Sequence, residues 1–215
     1  MRRNEMQNLI VVTNMLGDLG TNCYTVVNTA TREAVIIDPA ANAPFLISMI
    51  KNQQYKLVKI LLTHGHFDHV EGVKGLKEAY PEVPVVIGKN DEDILRTPAA
   101  NLSLMFAEPI SLKADELVSD GQELELLGTK IKCIEVPGHT KGGMCYYIEE
   151  NKMIFDGDTL FCGSIGRSDF PTGDGEALLI NIREKIFTLP DDTVVYPGHN
   201  SRTTVGREKT SNMFF

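Results

Sequence analysis

Apolar residues fall in short runs separated by polar turns, and the runs switch between two periods. Residues 9–13, 23–27 and 34–38 are β-rich runs of strand length, and Pro39 closes the third. Residues 44–54 then set Phe45, Leu46, Met49 and Ile50 at helical spacing. A second unit predicts a strand over 57–62, a helix over 70–80 and a strand over 83–87. Residues 90–106 predict a helix interrupted at Pro98. The second half repeats this grammar, with strands over 122–127, 130–136, 144–149 and 152–155, a helix over 175–188 and a last strand over 193–196. Leu127-Gly128-Thr129 and Glu150-Asn151-Lys152 have the character of hairpin connections.

Two successive halves of strands and helices predict two sheets packed together with helices outside. A single doubly wound parallel sheet is the rival, but hairpin-like spacing is too frequent for it. No repeat, low-complexity tract or linker divides the chain, so its 215 residues are expected to form one domain, 1–215. With 42% hydrophobic and 23% charged residues the chain can bury a sizeable core, which excludes disordered and fibrous classes. No apolar run approaches the ~20 residues of a membrane-spanning helix. Met1-Arg2-Arg3-Asn4-Glu5 lacks the apolar core and cleavage site of a secretory signal. Cysteines 23, 133, 145 and 162 form no CxxC pair, which fits reduced thiols in a cytoplasm, and Cys145 is expected in a strand core. The net charge of −8 argues against a nucleic-acid partner.

Charge and composition leave the chemistry open; the histidines narrow it. There are five, His64, His66, His69, His139 and His199. Four predicted strands end in a tight turn followed by His or Asp: Thr63-His64-Gly65-His66-Phe67-Asp68-His69, Pro137-Gly138-His139, Asp156-Gly157-Asp158 and Pro197-Gly198-His199. Taken singly, a His after a strand is usually a solvated turn residue or a satisfied core group. Together these segments use every histidine in the chain, and loops leaving one sheet edge converge. Imidazole and carboxylate donors suit zinc, and also manganese and iron. Seven candidate ligands are too many for one tetrahedral ion and match two. His64, His66 and His139 are assigned to the first, Asp68, His69 and His199 to the second, and Asp158 to both. Two such ions ~3.5–4 Å apart can hold a bridging water with a pKa near ~7.

These four segments, with Asp158 continuing into Thr159-Leu160-Phe161, resemble the metallo-β-lactamase superfamily, and within it the hydroxyacylglutathione hydrolase (glyoxalase II) group, from about residue 8 to 206. The resemblance implies an α+β fold, the αββα sandwich of two mixed sheets packed face to face, with a dinuclear site at one edge. It implies a thioesterase acting on a small hydroxyacylglutathione-type substrate, with Asp68 both binding metal and orienting the nucleophile. Ser201 stands where the classical enzymes carry an aromatic residue, Ser168-Asp169-Phe170 replaces their tyrosine, and their extra C-terminal helical region is expected to be absent. The chain is therefore more similar to the shorter proteins of the group, through Gly163-Ser164-Ile165-Gly166-Arg167-Ser168-Asp169-Phe170. Five of the eighteen glycines fall in residues 157–175, so this backbone can approach a ligand closely. Arg167 offers a bidentate donor for a substrate carboxylate, or a partner for Asp169 or Asp174. Leu102, Leu104, Met105 and Phe106 are expected in buried core, with a substrate entrance or subunit contact as the alternative. The rival activities are a mononuclear-iron persulfide dioxygenase and a lactonase, β-lactamase or other acyl hydrolase; a nuclease fits the charge poorly.

Overall fold

The computed structural model describes residues 9–215. The expectation of no leader rests on Met1-Arg2-Arg3-Asn4-Glu5, which lie outside the described residues. β1 (Leu9–Leu16), β2 (Thr21–Asn28), β3 (Glu33–Ile37), β4 (Lys56–Leu61), β5 (Val85–Gly88) and β6 (Glu116–Val118) form one six-stranded sheet in that order. Its first three strands pair antiparallel, and β3 to β6 run parallel. The second half supplies β7 (Glu123–Leu126), β8 (Thr129–Glu135), β9 (Met144–Ile148), β10 (Met153–Gly157), a short hairpin of β11 (Leu160–Phe161) and β12 (Ser164–Ile165), then β13 (Val194–Pro197) and β14 (Thr203–Thr204). The second sheet has the order β14-β13-β10-β9-β8-β7, antiparallel except where β10 meets β13.

Both faces of most strands are apolar because each sheet is covered twice. Val35 and Ile37 of β3, Leu61 of β4 and Val86 of β5 pack between the sheets with Cys133, Tyr146, Ile148 and Phe155. Their strand neighbours Ile36, Ile60, Val85 and Ile87 point the other way. There they meet Leu46 and Ile50 of α1 (Ala43–Asn52), and, past the short α2 (Phe67–Val70), Val73 and Leu76 of α3 (Val73–Ala79). After α4 (Glu92–Arg96) and α5 (Ser103–Phe106), the outer face of the second sheet is covered by α6 (Gly175–Asn181), which continues as a π-helical turn to Ile186, and by α7 (Val205–Ser211). Helix, sheet, sheet and helix are thus stacked in four layers, the αββα sandwich. The 127–129 hairpin is made by Leu127 and Gly128 both at positive φ, 55° and 71°, the backbone of a type I′ turn. Cys145 is buried in strand core as expected. No helix among the described residues is long and apolar enough to cross a membrane.

Two expectations are corrected. The helix over 70–80 is two helices, because the Gly72 amide donates to Pro39 O (2.7 Å) instead of continuing α2. Leu104, Met105 and Phe106 are not core: they are 62%, 71% and 59% exposed, and Leu102 alone of that group is buried. Segment 97–110 is anchored by Leu102, Ile110 and polar bonds rather than by the apolar side chains of residues 104–106. Asn101 Nδ2 donates to Ile110 O (2.8 Å), and Ser103 Oγ accepts from the Ile110 amide (2.8 Å), which leaves α5 projecting. β6, β14 and α7 went unpredicted because they are too short or too polar to show a period.

The sheets are tied across the core where β4 ends. Tyr146 is fully buried and its hydroxyl donates to Leu62 O at 2.8 Å, one residue before Thr63. Tyr146→Phe should lower stability by about 1 kcal/mol, the net worth of such a bond, as measured by chemical denaturation.

Candidate metal centre

Every predicted ligand lies at the same edge of the sandwich. His64 and His66 follow β4, with Asp68 and His69 in α2; His139 follows β8, Asp158 follows β10, and His199 follows β13. Three overlapping groups could hold a metal ion: His64, His66 and His139; His64, His69 and Asp158; and Asp68, His69 and His199. In each, the ligand atoms lie within 4.8 Å of one another.

The imidazole protons are placed by their other partners. Asp38, buried at the end of β3, accepts from the Thr63 hydroxyl (2.6 Å), the Thr63 amide (2.8 Å) and His69 Nδ1 (2.9 Å). With its own proton spent on Asp38, Thr63 Oγ1 is the acceptor for His64 Nδ1 at 3.0 Å. His139 Nδ1 donates to Arg167 O at 2.6 Å. His64, His69 and His139 therefore all turn Nε2 inward, each positioned by an outer hydrogen bond.

In their neutral forms His64 and His139 then face each other with unshared Nε2 pairs, and the other ligand atoms crowd the same place. His139 Nε2 lies 3.2 Å from His64 Nε2 and 2.9 Å from His66 Nδ1. His69 Nε2 is 3.3 Å from Asp158 Oδ1 and 3.5 Å from Asp68 Oδ2, and His199 Nε2 is 3.3 Å from Asp68 Oδ2. His69 Nε2 and Asp158 Oδ1 are buried without a hydrogen-bond partner, a costly state unless a cation sits between them. The donor chemistry and these two orphaned atoms fit divalent metal. Protonation preferences report the same demand. Burial, aided by the other imidazoles, holds His64 well below its ordinary value and brings His66 down to about 3. Burial opposes charge on His69 too, but Asp68, Asp158 and Asp38 outweigh it and push that imidazole well above its ordinary value. Asp68 falls to about 2 despite burial, through His69 and His199, and Asp158 is held below the usual carboxylate range by His69 and His139. His69, among its carboxylates, attracts positive charge; His64 and His66 offer neutral lone pairs.

Two of the turns admit glycine alone. A Cβ on Gly198 would lie 2.3 Å from Asp158 Oδ1 and 2.7 Å from His69 Cε1, inside the cluster. Gly138 has φ +145°, and its Cβ would meet Leu178 Cα at 2.4 Å. Sequence reasoning missed the outer partners. Asp38 does carry the signal, an acid after an apolar strand, as at the ligand turns. Asp91 carries none: it is buried on another segment and accepts from the amides of Gly65 and Gly142 (both 2.9 Å), bracing the first loop against the 137–142 turn.

The cluster forms the floor of a cavity of about 840 Å³. Arg167 lines it, and its guanidinium is paired bidentately with Asp169 (2.9 and 2.8 Å) and lies over the Phe170 ring, 4.3 Å from its centre. Of the two roles expected for Arg167, the stiffening pair is formed, with Asp169 rather than Asp174.

The family model for the metallo-beta-lactamase superfamily matches residues 16–199, from the end of β1 through the last histidine. The chain belongs to that superfamily. Hydroxyacylglutathione hydrolase GloC of Haemophilus influenzae is 38% identical over 190 residues, 85% of this chain and 87% of that protein. Among solved structures, BLEG-1 B3 metallo-beta-lactamase matches with a TM-score of 0.90 at 36% identity, covering 95% of this chain and 99% of that one. TTHA1623 in a di-iron-bound form matches with a TM-score of 0.85 at 33% identity, covering 95% and 100%. This superfamily member is a metallo-hydrolase, with a His/Asp cluster fit for divalent metal.

Asp38→Ala should weaken metal binding about 10- to 100-fold, because His69 loses the acceptor that orients it; competition against a chromophoric chelator measures this. Gly198→Ala should fold but retain less metal than wild type after dialysis, as counted by elemental analysis.

Proposed function

We propose that the chain is a dinuclear thioesterase of the hydroxyacylglutathione hydrolase type, acting on a small thioester such as S-lactoylglutathione. The observation that carries this reading is the pair of complete triads, His64-His66-His139 and Asp68-His69-His199, with Asp158 within 3.6 Å of members of both. The relationship to GloC supports the thioester, and the di-iron-bound relative supports two ions. Zinc is the first assignment for this nitrogen and oxygen donor set, with iron and manganese accepted by the same ligands.

When bound, the two ions supply Lewis acidity and bring the pKa of water toward ~7. The chain's own residues do the rest. Asp68 is fixed by the Thr21 hydroxyl on Oδ2 (2.8 Å), which keeps a carboxylate oriented at the floor of the cavity to align the attacking water. Apolar walls limit competing solvent. A thiolate leaves readily, its conjugate acid having a pKa near ~8.5, so no strong general acid is needed. No histidine is left over to be one, since all five sit in the cluster. A single-iron persulfide dioxygenase would leave the Asp68-His69-His199 group without employment, which disfavours it. Three of the four free cysteines are buried, and the reading places the enzyme in a reducing cytoplasm.

A panel of S-lactoylglutathione, a lactone and nitrocefin, run alongside metal analysis, should show thioester cleavage leading, with two metals per chain. Asp158→Asn should bind less metal and lose thioesterase activity by at least about a hundredfold, and stripping wild type with a chelator should abolish turnover until metal is restored. Full activity of Asp158→Asn with both metals retained would sink the shared-ligand assignment.

A further inference from the structure

The cavity walls carry a second chemical signal. One wall, on the 161–170 loop, bears Phe161, Phe170 and Arg167. Another part of the lining comes from the 17–19 turn, α2 and segment 102–110, whose apolar members are Leu19, Phe67, Leu102, Phe106 and Ile110. Phe106 gains little burial in the free fold, at 59% exposed. Its ring nevertheless stacks on Phe67, with centroids 6.0 Å apart and planes at 22°. Phe67 in turn sits between His66 and Asp68 in sequence, so the stack begins beside the ligand cluster.

Charge on this wall has one sign. Asp18, Glu71 and Glu108 belong to it, and the cavity's one cationic side chain outside the histidines, among the described residues, is Arg167 of the 161–170 loop, already engaged by Asp169. An apolar surface with carboxylates beside it favours hydrocarbon over an anion.

We propose that the Phe67–Phe106 wall is an acyl-binding wall, and that beyond a small hydroxyacyl group the site takes thioesters whose acyl group is larger, apolar and uncharged, medium-chain aliphatic or aryl, while rejecting acyl groups that end in a carboxylate. This rests on the thioesterase reading above for the reaction, though not for the binding. Phe106 determines chain-length preference through apolar contact, and Glu108 contributes to the rejection of anions.

The test uses the metal-loaded full chain with acyl thioesters of one neutral thiol, N-acetylcysteamine: acetyl, butyryl, hexanoyl, benzoyl and succinyl, with thiol release as the readout. Burying hydrocarbon at about 0.8 kcal/mol per methylene corresponds to a rise in kcat/KM of about threefold or more per added carbon. Succinyl should run at least about tenfold below butyryl. Phe106→Ala should reduce the hexanoyl-to-acetyl ratio about tenfold, chiefly through KM, and Glu108→Gln should narrow the butyryl-to-succinyl gap. A flat series, a preference for succinyl, or an equal loss on all esters in Phe106→Ala would overturn the proposal. Calorimetric binding of the S-hexyl and S-methyl thioethers of the same thiol separates the two readings. Absence of all thioester turnover with the hexyl compound bound tenfold tighter would remove the thioesterase and support the wall; equal binding of the two compounds would remove the wall itself.

Discussion

Five imidazoles and two carboxylates gathered at one sheet edge, with unshared electron pairs turned toward each other, are in electrostatic conflict unless positive charge lies among them. The conflict is built in rather than incidental. His64, His69 and His139 have their Nδ1 protons committed to Thr63, Asp38 and Arg167 O, so a neutral ring cannot relieve it by turning its one proton inward without losing an outer bond. The buried pair His69 Nε2 and Asp158 Oδ1 has no partner at all. The same low-polarity setting that makes an unpaired lone pair expensive makes a cation there strongly favoured. Much of the surrounding structure makes sense as support for holding this arrangement against its own repulsion.

The support comes from the ends of strands whose positions are set by the core. β4, β8, β10 and β13 each deliver one segment of the cluster, and the layer between the sheets fixes their relative heights. Outer braces then remove the freedom of the connecting loops. Asp38 and Asp91 lock the first histidine loop through backbone amides and the Thr63 hydroxyl. At the other end of the chain Glu208 of α7, fully buried, accepts from the Gly163 amide and Asn212 Nδ2 (both 2.9 Å) and from the Thr203 hydroxyl. That carboxylate joins the stretch following Asp158 to the stretch following His199, two loops remote in sequence. A rigid frame beneath and ligand-bearing turns above is the usual division of labour between scaffold and site.

The superfamily frame leaves the reaction's substrate to the loops. Here the loops are chemically unequal: one part of the lining carries a guanidinium over an aromatic ring, another a pair of stacked aromatic rings with acids on the same segments. Such asymmetry orients a ligand as well as admitting it, because the reacting group must lie over the floor whichever end is recognised first. Selectivity can therefore change with a few side chains on segments 17–19 and 102–110 while the cluster and its braces stay constant.

Most of this was legible in the residues. The alternation of two periods predicts the strands that carry the ligands and the helices that cover them, because side-chain periodicity is a local property of backbone geometry. His64, His66, Asp68, His69, His139, Asp158 and His199 stand out because each follows a strand end, and the tertiary fold brings all seven together. The braces were not legible. Asp91 and Glu208 are ordinary acids in sequence, and burial and hydrogen bonding to distant amides, created by packing alone, make them structural. The exposure of Leu104, Met105 and Phe106 was likewise hidden, since hydrophobicity predicts burial when nothing else is known. The anchoring of their segment through Asn101 and Ser103 turned them outward, and long-range contacts of that kind leave no periodic trace along a chain.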